Sequence, residues 1–102
     1  MRTLPIFIDP QRLDDFCRRY RVAELSLFGS ILREDFGPAS DVDVLIALCS
    51  GVTMTLEADM AMREELSAMF EGRSVDMVRR EYLKNPYRKA EIMRTREILY
   101  AE

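Results

Sequence analysis

Two aspartates separated by one residue, Asp41 and Asp43, open an apolar run that continues Val44-Leu45-Ile46-Ala47-Leu48. Side chains two apart on a strand share a face, roughly 6.6 Å apart along it. Carboxylates so placed can share one or two divalent metal ions. Without a cation, repulsion and desolvation raise at least one pKa and cost stability. The alternative is a strand whose polar start stays solvated. Gly29-Ser30 precedes the pair, with ten residues between. A strand running into Gly29, Ser30 and a short helix presents free backbone N–H groups that favour an anion, typically phosphate. Glycine lets the backbone approach such a ligand closely, and the Ser30 hydroxyl can donate once more. Alone, a Gly-Ser dipeptide also marks ordinary turns.

Three further residues belong with these. Asp76 interrupts an alternating apolar stretch, with Val75 and Met77 facing the other way, and strands disfavour aspartate. Beside Val42 to Leu48 it would complete a three-carboxylate cluster; on an edge it would face water. Arg33, one helical turn beyond Ser30, either joins Ser30 on the same anion or pairs with Glu34 or Asp35. Ser40 either donates to a phosphate or shapes the turn before Asp41. The combination is informative where each member is weak.

Bulk composition narrows the chemistry. The 102 residues contain no histidine, which excludes a Ser-His triad, a histidine-based ribonuclease and most transition-metal sites. Acid-base work falls to carboxylates, and any metal should be hard and oxygen-seeking, so Mg²⁺ leads. A net charge of −3 argues against a direct nucleic-acid surface, which is driven by phosphate neutralisation. Cys17 and Cys49 are too few for a disulfide framework or zinc site and read as small core residues. No apolar run approaches the ~20 residues of a membrane helix, and the start lacks a signal-peptide pattern. A single domain over 1–102 with a cytoplasmic address is the expectation.

Elements to position these residues are legible. Asp9-Pro10 caps a helix to about Tyr20. Val22 to Phe28 is a strand, Ile31 to Phe36 a short helix, and Val42 to Leu48 a second strand. Thr53 or Thr55 caps a third helix that ends before Gly72. Ser74 to Val78 is a third strand, and Asn85-Pro86 opens a last helix to about Tyr100. The expected class is α/β (α+β): a short mixed β-sheet flanked by helices. Met54, Met60, Met62 and Met69 read as core filler, and the C-terminal arginines and lysines as a solvated helical face.

On Gly29-Ser30, Asp41-Val42-Asp43, Asp76 and the intervening Arg33, the chain resembles the minimal nucleotidyltransferases of the DNA polymerase β-type superfamily. The likeness covers roughly residues 22 to 80. It is greatest to the MntA-type antitoxins paired with HEPN-domain toxins. In that family the arginine is commonly followed by glycine, where this chain has Glu34. The resemblance implies a polymerase β-type palm-like fold in which Asp41, Asp43 and Asp76 hold two Mg²⁺ ions. Gly29, Ser30, Arg33 and Ser40 would bind the phosphates of ATP. It implies AMP transfer onto a tyrosine of a HEPN-type toxin partner, with this chain as the antitoxin. Two other readings stay open: a non-catalytic binding module that inhibits its partner by occlusion, motivated by Glu34 and the apolar C-terminal helix, and a small-molecule nucleotidyltransferase.

Overall fold

Four strands form one mixed sheet in the order β3-β2-β1-β4, where β1 is Val22–Phe28, β2 Val42–Leu48, β3 Val75–Arg79 and β4 Glu97–Ala101. The computed structural model describes residues 4–102. Residues 1–3, part of the stretch read above as lacking a signal peptide, lie outside the described residues. The central strands β1 and β2 are antiparallel, β4 runs antiparallel to β1, and β3 runs parallel to β2. Helices α1 (Pro10–Arg19), α2 (Leu56–Met69) and α3 (Pro86–Thr95) flank this sheet. The mixed α/β class is therefore as expected.

Strand alternation sends the residues of β2 to two destinations. Val42, Val44 and Ile46 are fully buried and join Leu25, Leu27 and Met77 under α1 and α2, which contribute Leu13, Phe16, Cys17, Met62 and Leu66. Arg19 and Tyr20 both donate to Glu65, tying the end of α1 to α2. The other face carries Phe28 and Leu45, covered by Leu83 and by Ile92 of α3. Only part of this second face is apolar, and its remainder bears the acidic residues.

The helix starts follow local rules. Asp9 accepts from the Gln11 N–H before Pro10, Thr55 accepts from Ala58 N–H, and Asn85 accepts from Tyr87 and Arg88 N–H. Each side chain satisfies donors that the first helical turn leaves without partners. Asn85→Ala is expected to cost about 1 kcal/mol, lowering Tm by roughly 4–8 °C for a domain of this size. Thermal unfolding followed by circular dichroism checks it.

Three expectations need correction. The final helix stops at Thr95 rather than Tyr100, and Glu97–Ala101 form β4. Ile98, Leu99 and Tyr100 suit a strand, and pairing with the free edge of β1 supplies hydrogen bonds that a longer helix would forgo. Cys17 is fully buried, with burial pushing its thiol up to about 12. Cys49, by contrast, is only partly covered and donates to Glu102. Met62 and Met69 fill the core, whereas Met60 is exposed. Among the described residues no helix is long and apolar enough to cross a membrane.

Candidate active site

Register decides the site. Asp43 on β2 lies opposite Asp76 on parallel β3, so the two carboxylates leave the same face of adjacent strands, about 4.8 Å apart at the backbone. On the other side of β2, Asp43 is opposite Phe28, the last residue of β1. The chain then turns at Gly29, where φ is +77°. Three segments distant in sequence thus meet at one end of the sheet: the Gly29-Ser30 turn, the start of β2 and β3. Asp41 stands two residues before Asp43, exposed just ahead of the strand, and Asp76 is exposed as well.

Gly29 is required here for two separate reasons. Its backbone occupies the left-handed region that side chains disfavour. A Cβ at this position would also lie 2.2 Å from Asp43 Oδ2. The turn and the carboxylate are in contact, and nothing larger than hydrogen fits between them.

Electrostatics confirm that the acids act on one another. Burial pushes the Asp43 carboxyl above its ordinary value, and the negative charges of Asp76 and then Asp41 push it further. Arg88 and, less strongly, Arg33 act the other way. Asp43 is the half-buried member of the cluster, whereas Asp41 and Asp76 are exposed, and so it experiences both effects.

A family model for the nucleotidyltransferase domain matches residues 11–99. The chain belongs to this family. Solved structures agree on the fold of the nucleotidyltransferase. One, a minimal nucleotidyltransferase, is 25% identical with a TM-score of 0.69, covering 86% of each chain. A toxin–antitoxin structure with AMP-PNP is 15% identical with a TM-score of 0.70, covering 93% of this chain and 75% of that one. A mutant of the toxin–antitoxin MntA-HpeT carrying two Asp-to-Glu changes is 13% identical with a TM-score of 0.68 over the same shares. None of the curated proteins matches the chain.

In this nucleotidyltransferase the donor chemistry fits hard divalent cations. The acidic end offers carboxylates only, the chain has no histidine, and the negative charges of Asp76 and Asp41 bear on Asp43. Among the described residues, no three acidic side chains close into a finished metal-binding group. Asp41, Asp43 and Asp76 are the residues that could hold a metal here.

The remaining sequence candidates divide. Ser30 follows Gly29 in a short 3-10 turn spanning Gly29–Leu32, not in a helix from Ile31 to Phe36. That turn ends at Arg33, which is extended, so Arg33 does not stand one helical turn above Ser30. Its Nε donates to Asp35 at 3.1 Å, the ion-pair alternative. Ser40 accepts from Gly37 N–H at 3.0 Å and so shapes the turn before Asp41. Sequence reasoning missed Arg73, which donates to the carbonyls of Gly37 and Ser40 and stacks on Phe36. It clamps the loop that delivers Asp41.

Proposed function

We propose that this chain is a Mg²⁺-dependent nucleotidyltransferase that transfers AMP from ATP to a tyrosine hydroxyl of a HEPN-type toxin, acting as the antitoxin of a cytoplasmic toxin–antitoxin module. The observation that carries the reading is the in-register pairing of Asp43 with Asp76 beside the Gly29-Ser30 turn. The likeness to toxin–antitoxin structures, one holding AMP-PNP, supports the nucleotide and the kind of partner.

Asp41 and Asp43 would hold the cations, with Asp76 ligating the second. When bound, such ions stabilise charge on the attacking and leaving oxygens of an in-line displacement. The chain's own groups do the rest. Backbone N–H groups at the Gly29 turn and the Ser30 hydroxyl orient the β- and γ-phosphates. Asp76, exposed on its strand, is accessible to an acceptor and accepts the proton of its hydroxyl. The acceptor oxygen bonds to the α-phosphorus as the bond to pyrophosphate breaks.

The test is the intact mass of the toxin after incubation with this protein, ATP and Mg²⁺. One or more AMP increments on a tyrosine are expected with the wild type and none with Asp76→Asn. An occlusion reading draws on the Arg33–Asp35 pair, which ties up one phosphate-binding candidate, and on exposed apolar residues such as Tyr87 and Ile98. Full inhibition of an unmodified toxin in the absence of nucleotide would favour it.

A further inference from the structure

Asp43 and Asp76 are held by paired strands, but Asp41 is exposed and stands one residue before β2. Its position depends on the loop 37–40 ahead of it. That loop closes on itself: Ser40 N–H donates to Gly37 O at 3.0 Å, and Gly37 N–H to Ser40 Oγ at 3.0 Å. Among the described residues, the hydrogen bonds that tie it to the rest of the fold come from one side chain. Arg73 Nη1 donates to Gly37 O at 2.9 Å and to Ser40 O at 3.3 Å, and its guanidinium lies 4.4 Å from the centre of the Phe36 ring. Arg73 is itself fixed at the end of α2, its N–H donating to Phe70 O at 3.2 Å and its carbonyl accepting from Ser67 Oγ at 2.7 Å. Asp41 and Arg73 line the same cavity, yet among the described residues no ion pair engages either. The guanidinium is committed to carbonyls, and the carboxylate stays open to a cation.

We propose that Arg73 is a positioning residue for the cation site: it holds Asp41 at a fixed place beside the Asp43–Asp76 pair and so sets how tightly a divalent cation is bound. The inference rests on the nucleotidyltransferase reading, in which these three acids hold the metal. A loop free to move would lose conformational entropy each time Asp41 closed on the ion. Arg73 meets that cost during folding, by tying the loop to the end of α2. Asp76 lies three residues further along the same segment, so one side chain links the two outer members of the cluster.

Titration of the full chain with Mn²⁺, an oxygen-seeking substitute for Mg²⁺, tests this through the paramagnetic signal of the unbound ion. Arg73→Met should weaken binding about ten-fold. Arg73→Lys, whose ammonium can still donate to the carbonyls, should recover most of the loss. The sign separates position from charge, because removing a nearby positive charge would by itself strengthen cation binding. The control is Arg63→Met, which takes the same charge and a bond to Met77 O from α2 without touching the loop. Its affinity should stay within about two-fold of wild type. Phe36→Leu removes the ring beneath the guanidinium and should weaken binding about two- to five-fold. Unchanged or tighter binding in Arg73→Met, no recovery in Arg73→Lys, or an equal loss in Arg63→Met overturns the role of Arg73. Unchanged affinity in Phe36→Leu overturns it even where Arg73→Met fails to fold. Absence of Mn²⁺ binding by the wild type, with AMP-PNP present as well as absent, instead overturns the nucleotidyltransferase reading beneath it.

Discussion

Asp43→Asn is expected to lower nucleotide transfer at least about 10³-fold, because metal-borne charge stabilisation contributes several kcal/mol to the barrier. The same substitution should leave the protein folded and, without metal, slightly more stable. Asp43 is half-buried and faces Asp76 across the sheet, and burial and its acidic neighbours raise its pKa above the ordinary 3.8. An acid whose folded-state pKa is raised binds more protons folded than unfolded. Stability therefore falls as pH rises from the ordinary value through the raised one, and stays reduced above it. Asparagine removes that slope. Thermal melts across the acid range in chelator, beside a transfer assay, measure both effects. A variant retaining transfer would defeat the metal assignment, and one melting below wild type would defeat the electrostatic account.

Gly29→Ala should be the most damaging single-methyl change in the chain. It places a side chain in the left-handed region, at about 1–3 kcal/mol, and drives a Cβ into the Asp43 carboxylate, 2.2 Å away. Relief requires moving either the turn or the carboxylate, and each is part of the site. A loss of about 2 kcal/mol corresponds to a Tm drop of roughly 8–16 °C, with transfer reduced at least about 100-fold. Gly72→Ala separates the two causes. Gly72 has the same φ of +77° but nothing within 4 Å of its would-be Cβ. It should lose comparable backbone stability and keep its transfer rate. Equal transfer in the two variants at a temperature where both are folded would show that contact with Asp43 is immaterial.

The two expectations differ in what they owe to sequence. Asp41-Val42-Asp43 at the head of an apolar run was readable directly, since strand alternation alone puts its carboxylates on one face. The strands Val22–Phe28 and Val42–Leu48 were readable for the same reason, being continuous runs bounded by turn residues. The steric contact between Gly29 and Asp43 was not. It depends on antiparallel pairing that sets Phe28 opposite Asp43, a long-range register that composition does not encode.

β4 was hidden by a locally ambiguous pattern. The segment from Pro86 to Ala101 carries a strong helix start and no glycine or proline stop, so local signals extend the helix. What ends it is the open edge of β1. Arg96 donates to Glu24 of β1 just where the helix gives way to strand. Arg33 was misplaced for a related reason, because a 3-10 turn and a helix share their first residues and part company only at the fourth.

By itself the sequence determined the kinds of atoms available: carboxylates rather than imidazoles, a bare glycine beside a hydroxyl, and apolar runs at strand spacing. These follow from residue identity and local periodicity, which need no partner. Only the tertiary structure decided that β3 lies parallel to β2 with Asp76 opposite Asp43, that Arg33 turns to Asp35, and that Arg73 holds the loop before Asp41. Each of these is a relation between segments tens of residues apart, set by which apolar faces bury one another.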